Sequence, residues 1–561
     1  MEGFGRKKSK NKKIKNLKAD NYKEQIIYKA FKFHSEGNIS EATKYYQSFI
    51  KQGFKDFRVF SNYGLILLGL GKFKEAELLL RKAIELKPDY AEAHLNLGNI
   101  LQGLGKFKEA AISTHKAIAL KPDFVIAYLN LGNILKNLGQ LEKAELYLRK
   151  AIELKPDFVD AHLNLGTILQ GLSDYKDAEL CIRKAIELKP DYAEAHLNLG
   201  NILKHLGQLE DAKLSYHKAI ELKPDLTSAN YSISTLQYSN EDKIWRDQLF
   251  SDEILNKKSK KGQVDIYFAR ANILHKEKKF DDSSKFLQLA NNLKIDLNPF
   301  DYENFLKKSR TSLLETDKKI LKKIELKNSS ENIFIVGMPR CGSTLLESII
   351  SMNNNVYALG EINILEESYL EYKESKTKKR IDELYIEKVN KKTQLNITTN
   401  KWLYNYRYAG IISDEIPNSK IIHCYRNPLD NILSLYRAHF TKGNQYSSSL
   451  VNCAKVYLEQ EKIMSIYKNK FQSKIYNLNY DLLVSNPDKE IKSLISWLGW
   501  NWQDLYLSPH QNTRAIATRS SVEVRSPINS KSIGGWKNYR EMLKPALEIL
   551  TQSEKYRKLL S

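Results

Sequence analysis

Apolar positions follow two different rhythms along this chain. From residue 57 to residue 226 they recur with the 3.6-residue period of amphipathic helices, in paired runs that reset every 34 residues at Lys-Pro-Asp, with the proline at Pro88, Pro122, Pro156, Pro190 and Pro224. Small residues keep fixed places within each unit. Leu97, Gly98, Leu101, Ala110 and Ala117 return as Leu131, Gly132, Leu135, Ala144 and Ala151, and twice more after that. Glycine and alanine at these places predict two helices that approach closely. Residues 57–88 form a good earlier unit and 22–55 a degenerate one, the register breaks near Ser239–Asp242, and 264–297 read as a final irregular unit. Each helix pair can bury its apolar face only on its neighbours, so the pattern predicts an α-solenoid over 22–297 with a concave face.

A Lys-rich helical stretch, 298–330, is expected to link this array to a domain of different rhythm. Short apolar runs at Ile333–Val336, Lys420–Tyr425 and Ile475–Tyr480, with a weaker one at Leu395–Thr399, are each followed by a helical pattern. Alternation of that kind predicts an α/β domain over 331–561, with a parallel sheet covered on both faces and ligands at the carboxyl ends of its strands.

Composition adds little to the fold but narrows the setting. At 561 residues the chain exceeds one ordinary core. Its net charge of +23 admits nucleic acid, a membrane surface or a polyanionic small molecule as partner, yet the repeats mix both signs evenly. Only the beginning concentrates charge, from Arg6 to Lys18, and 1–21 read as a disordered basic tail with no apolar core of a secretion signal. No apolar run approaches the ~18 residues that span a bilayer. The four scattered cysteines fit neither a disulfide framework nor a zinc site, so a cytoplasmic protein is expected.

The chemistry concentrates at Gly337-Met-Pro-Arg-Cys-Gly-Ser-Thr344. A buried strand, a Gly-rich turn and a helix starting at Ser343 and Thr344 present backbone N–H groups to an anion, as in a phosphate-binding loop. Gly337, Gly342 and Thr344 stand at the spacing of a nucleotide-triphosphate loop, but Ser343 occupies the place of its lysine, and Arg340 supplies the cation from inside the turn. A different mononucleotide fold, or a tight turn without ligand, remains open on this motif alone. A second motif follows the strand at 420–425: Arg426 and, two helical turns on, Ser434, a guanidinium and a hydroxyl that can grip one phosphate.

Pro339-Arg-Cys-Gly-Ser-Thr344 resembles the loop by which sulfotransferases hold the 5′-phosphosulfate of 3′-phosphoadenosine-5′-phosphosulfate (PAPS), and Arg426 with Ser434 resembles their 3′-phosphate site. The 34-residue unit resembles the tetratricopeptide repeat, and the whole chain resembles the bacterial tetratricopeptide-repeat sulfotransferases, with a catalytic domain like that of tyrosylprotein sulfotransferases over roughly 331–555. The resemblance implies roles for particular residues. Glu361 would take the acceptor proton; Lys401 would contact the transferring group; Ser520 would bind the 5′-phosphosulfate; and Tyr480 would lie near the nucleotide. Arg340, Cys341, Gly342, Ser343 and Thr344 would form the loop, with Cys341 a small filler. Gly535 departs from the family, which often has Lys or Arg just before the residue corresponding to Trp536; Lys531 or Arg525 would have to replace that contact. A metal is not required by this scheme.

Glu361 has a simpler reading as a carboxylate favoured by a helix N-terminus. His439 and His423 are alternative bases, the latter read as an interior residue. Asn62, Asn96, Asn130, Asn164 and Asn198 occupy one position of successive repeats and resemble the asparagine ladder of O-linked N-acetylglucosamine transferase, which holds peptide backbone; the same pattern is also plain repeat consensus. The function expected is PAPS-dependent sulfuryl transfer to a hydroxyl, a protein tyrosine foremost, on an acceptor recruited by the array. The alternatives are a saccharide or small-metabolite acceptor, and a scaffold with an inactive nucleotide-binding domain.

Overall fold

The computed structural model describes residues 20–236, 242–318, 330–374, 379–440, 443–516, 518 and 520–559. The basic tail up to residue 19, most of the register break at 239–242 and residues 319–329 of the expected linker lie outside the described residues. The chain forms two compact units, Met1–Ala195 and His196–Ser561.

The first unit consists of antiparallel helix pairs, among them Ala91–Gly103 with Phe107–Leu120 and Val125–Asn137 with Leu141–Leu154. The repeated prolines mark where the second helix of each pair stops. Lys121 N–H still reaches Ala117 O, but Pro122 has no N–H to continue the ladder. The small positions are set by packing: a Cβ on Gly132 would lie 2.7 Å from Leu148 Cγ, too close for any side chain. Between the helices of a pair the backbone passes through the left-handed region, at Gly71 (φ 72°), Gly105 (74°) and Gly139 (75°). In the next repeat Ser173 does the same at φ 67°.

The second unit joins the last helices of the array to the α/β domain. Its sheet is entirely parallel, with order β2-β3-β1-β4-β5, for β1 Glu331–Gly337, β2 Val356–Ala358, β3 Ile397–Asn400, β4 Ser419–Tyr425 and β5 Ile475–Asn479. Central β1 is buried on both faces, Ile333 and Ile335 packing into one apolar cluster and Phe334 and Val336 into the other. This explains its unbroken apolar run. The helices Lys260–Lys276 and Phe280–Leu297 share a third core with the α/β domain, in which Phe268, Ala271, Leu287 and Ala290 meet Leu433, Tyr436, Trp536 and Tyr539.

Polar contacts reinforce that core. His439 Nε2 lies 2.9 Å from Asp265 Oδ1, its ring stacks on Phe268 at 4.7 Å, and Asn291 Nδ2 donates to Tyr436 O at 2.9 Å. His439 is therefore a buried partner of a repeat-derived carboxylate, which removes it as an alternative base. His423 is likewise interior, 1% exposed, with Gln460 at 2.9 Å, and burial holds its pKa well below the usual value for histidine. No helix among the described residues is long and apolar enough to cross a membrane.

Candidate active site

Every strand of the sheet delivers one candidate residue at its carboxyl end. β1 leads to Arg340, β2 to Glu361, β3 to Lys401, β4 to Arg426 and β5 to Tyr480. In a parallel sheet these ends lie along one edge, so residues scattered over 140 positions of sequence are aligned on one side of the sheet. The pairing of Gly337 with Cys424 places the loops after β1 and β4 side by side.

The loop after β1 needs two unusual backbone conformations. Arg340 sits at φ 68° and Gly342 at φ 99°, immediately before the helix Ser343–Ile350. The first-turn N–H groups of that helix have no intrahelical acceptor and stand at the carboxyl end of β1. Gly342 also admits the ring of Tyr480, since a Cβ there would lie 2.1 Å from Tyr480 Cδ2. Cys341 is buried, and Cys424 Sγ donates to its carbonyl oxygen at 3.2 Å; the contact with Cys341 and burial push the Cys424 thiol well up. Ser343 and Thr344 are buried too, with Thr344 Oγ1 3.1 Å from Thr518 Oγ1.

Arg340 gathers three partners from distant segments. Its Nε donates to Ser434 Oγ at 3.0 Å, Nη1 to Ser520 Oγ at 2.5 Å, and Nη2 to Glu523 Oε1 at 3.0 Å. Glu523 is mostly exposed, and an ion pair of that kind contributes about 1 kcal/mol or less. A dianionic ligand can displace it readily.

Lys401 is wholly buried and held between two carboxylates, Glu361 at 2.8 Å and Glu347 at 3.8 Å. Backbone pairing builds this contact: Leu359 N–H donates to Thr399 O and Lys401 N–H to Gly360 O, both at 2.9 Å, which brings the turn after β2 beside the end of β3. Glu347 is in turn held by Thr399 Oγ1 at 3.0 Å and Arg514 Nη2 at 3.2 Å. Glu361 keeps nearly half of its side chain open to solvent.

Arg426 and Ser434, expected to share one phosphate, have different partners. The Arg426 guanidinium donates to Ser532 O at 2.8 Å, lies over the Tyr480 ring at 4.8 Å, and has Asp430 and Asp481 each at 3.9 Å. Asp430 anchors the late loop through Gly534 N–H and Trp536 N–H at 2.7 and 2.9 Å. Of the cations considered as replacements beside Gly535, Arg525 is spent on the carbonyls of Asn512, Arg514 and His205, and Lys531 is exposed. Glu347, Arg514, Thr518 and Glu523 were not legible as site residues in the sequence. Glu347 left one signal, a carboxylate beside Ser348 in the mostly apolar run Leu345–Ile350.

Residues 332–504 match the model of the sulfotransferase family, and 91–124, 125–158, 159–192 and 193–226 match the tetratricopeptide repeat, with 64–105 matching a further repeat model. The chain carries a sulfotransferase-family domain behind a tetratricopeptide array. A relative from Aquifex aeolicus (strain VF5), described only as an uncharacterized protein, is 26% identical over 315 residues, which is 51% of this chain and 41% of the relative. This chain thus spans about two fifths of that relative's length. Among solved structures, the repeats are similar to YrrB, a repeat protein described as having an unusual peptide-binding site (26% identity, 33% of this chain, 95% of YrrB, TM-score 0.29). They are also similar to TTC0263, a thermophilic repeat protein of Thermus thermophilus (24% identity, 32% of this chain, 98% of that protein, TM-score 0.29).

In the array, the five asparagines are half-buried, and Asn130 Nδ2 donates to Asn99 Oδ1 of the preceding repeat at 2.8 Å. One donor of the Asn130 amide is therefore used between repeats, and its carbonyl oxygen and second N–H are left for other donors and acceptors.

Proposed function

We propose that the sulfotransferase domain uses PAPS as donor and transfers its sulfuryl group to a protein hydroxyl, tyrosine foremost, in the cytoplasm. What supports this reading is that Arg340, Glu361, Lys401, Arg426 and Tyr480 each follow the carboxyl end of one of the five strands. Arg340 with Ser520 and the loop N–H groups would hold the 5′-phosphosulfate. Lys401 would neutralise the charge that gathers on the bridging oxygen. The acceptor oxygen bonds to sulfur as the bond from sulfur to that bridging oxygen breaks, 3′,5′-ADP departs, and the hydroxyl proton passes to Glu361. The Lys401–Glu361 contact supports this pairing of roles, because one turn places the proton-accepting group beside the cation for the leaving group. Electrostatic stabilisation at such a centre is the dominant contribution expected, about 2.7–4 kcal/mol for each positioned donor.

The tetratricopeptide array supports a protein acceptor, since stacked helix pairs offer an extended concave surface that a small alcohol does not need. The asparagines at 62, 96, 130, 164 and 198 would contact its backbone. Free cysteines, three of them buried, fit a reducing compartment. Calorimetry with 3′,5′-ADP, 5′-AMP and ATP tests the donor: 3′,5′-ADP should bind far more tightly than either of the others. Equal affinity for 5′-AMP, or a preference for ATP, would overturn PAPS as donor.

A further inference from the structure

A cavity of about 280 Å³ opens on Arg340 from the side of the terminal repeats. Its wall carries Lys204 and Lys276 from the helices Ala193–Leu206 and Lys260–Lys276, and Arg340, Ser434, Arg437 and Glu523 from the sulfotransferase domain. Among the described residues, four cations thus face one carboxylate across this cavity. Arg437 makes no ion pair within 4 Å among the described residues. Lys276 Nζ donates to the carbonyls of Ser234 at 2.7 Å and of Leu236, which satisfy its hydrogens without neutralising its charge. Burial, with Arg437 a further cause, pulls the Lys276 ammonium down to about 8. None of the four cations is fully buried, and a concave cluster of positive charge of this kind attracts an anion.

Two further observations say which anion. Ser434 and Arg340 line the cavity, whereas neither Lys401 nor Glu361 does, so the reacting acceptor hydroxyl belongs elsewhere. The sulfotransferase domain's own phosphate candidate is compromised, because Arg426 stands between Asp430 and Asp481 and Gly535 offers no charge. We infer that the terminal repeats complete the nucleotide site, with Lys204, Lys276 and Arg437 binding the 3′-phosphate of the donor alongside Ser434. This rests on the PAPS reading above. It makes the repeats part of the donor site as well as a surface for partners, and it gives the 3′-phosphate the charge that Gly535 does not supply.

The test is calorimetry of 3′,5′-ADP and 5′-AMP on the full chain, comparing wild type with Lys204→Gln, Lys276→Gln and the double variant. Each lost charge-assisted contact should weaken 3′,5′-ADP roughly tenfold while leaving 5′-AMP unchanged. Because Lys276 Nζ also holds two backbone carbonyls, Lys204→Gln guards against a folding defect in Lys276→Gln, and Lys276→Arg should restore part of the affinity. A wild-type preference for 3′,5′-ADP that persists in the double variant would overturn the repeat contribution and leave the PAPS reading intact. A parallel loss of both nucleotides would show a merely structural role and overturn it too. A wild type that does not distinguish the two nucleotides would overturn the PAPS reading itself, and this inference with it.

Discussion

Lys401, with none of its side chain exposed, donates from Nζ to Glu361 Oε1 at 2.8 Å, so that a buried cation and a half-open carboxylate form one unit at the ends of β3 and β2. The pair positions both groups, and its two members can be separated by experiment. Glu361→Gln keeps an acceptor for Lys401 but no base. Turnover should fall by about 10²–10⁴-fold, with 3′,5′-ADP affinity nearly unchanged. Steady-state rates beside calorimetry check this, and a variant of normal rate would remove Glu361 from proton transfer.

Gly342 is constrained twice over, by φ 99° and by the Tyr480 ring in the place of a Cβ. Gly342→Ala should destabilise the second unit by about 1–3 kcal/mol and displace the ring that covers Arg426. Urea unfolding followed by tryptophan fluorescence, with 3′,5′-ADP titration, measures both effects. Unchanged stability and affinity would mean that the turn can open without cost.

Ser173 occupies the left-handed turn position that glycine holds in four earlier repeats. Ser173→Gly should relieve that strain and raise the stability of the first unit by roughly 1 kcal/mol, because an L-residue pays about that much in this region. Thermal unfolding followed by circular dichroism checks the sign. A lower melting temperature would show that the serine hydroxyl contributes more than its backbone costs.

Much of this architecture was legible because it depends on local periodicity. The 34-residue return of proline, glycine and alanine gives the helix pairs, and the apolar run at 333–336 gives the central strand. β2 was missed since it is three residues long, with Tyr357 partly exposed, and has no run to recognise. The short strand at 397–400 was only faintly marked because Thr398, Thr399 and Asn400 are polar yet buried, their side chains held by partners such as Asn332 and Glu347. Single residues at strand ends could be named from motif spacing. Their neighbours could not: Glu523 meets Arg340 across 183 positions, and Lys276 shares a cavity with Arg437 only because the last helix pair joins the core of the α/β domain. The cradle for Arg426 was hidden for the same reason, since Asp430 looks like an ordinary first-turn carboxylate until its bonds to Gly534 and Trp536 are seen.

Transfer of radiolabelled sulfate from PAPS into a cell extract by the full chain tests the central claim most directly. Label should enter acid-insoluble protein, vanish with Glu361→Gln, and fall when Asn130 and Asn164 are changed together to Ala. Label confined to glycans or small molecules would contradict a protein acceptor, and no transfer above an enzyme-free control would contradict sulfuryl transfer from PAPS altogether.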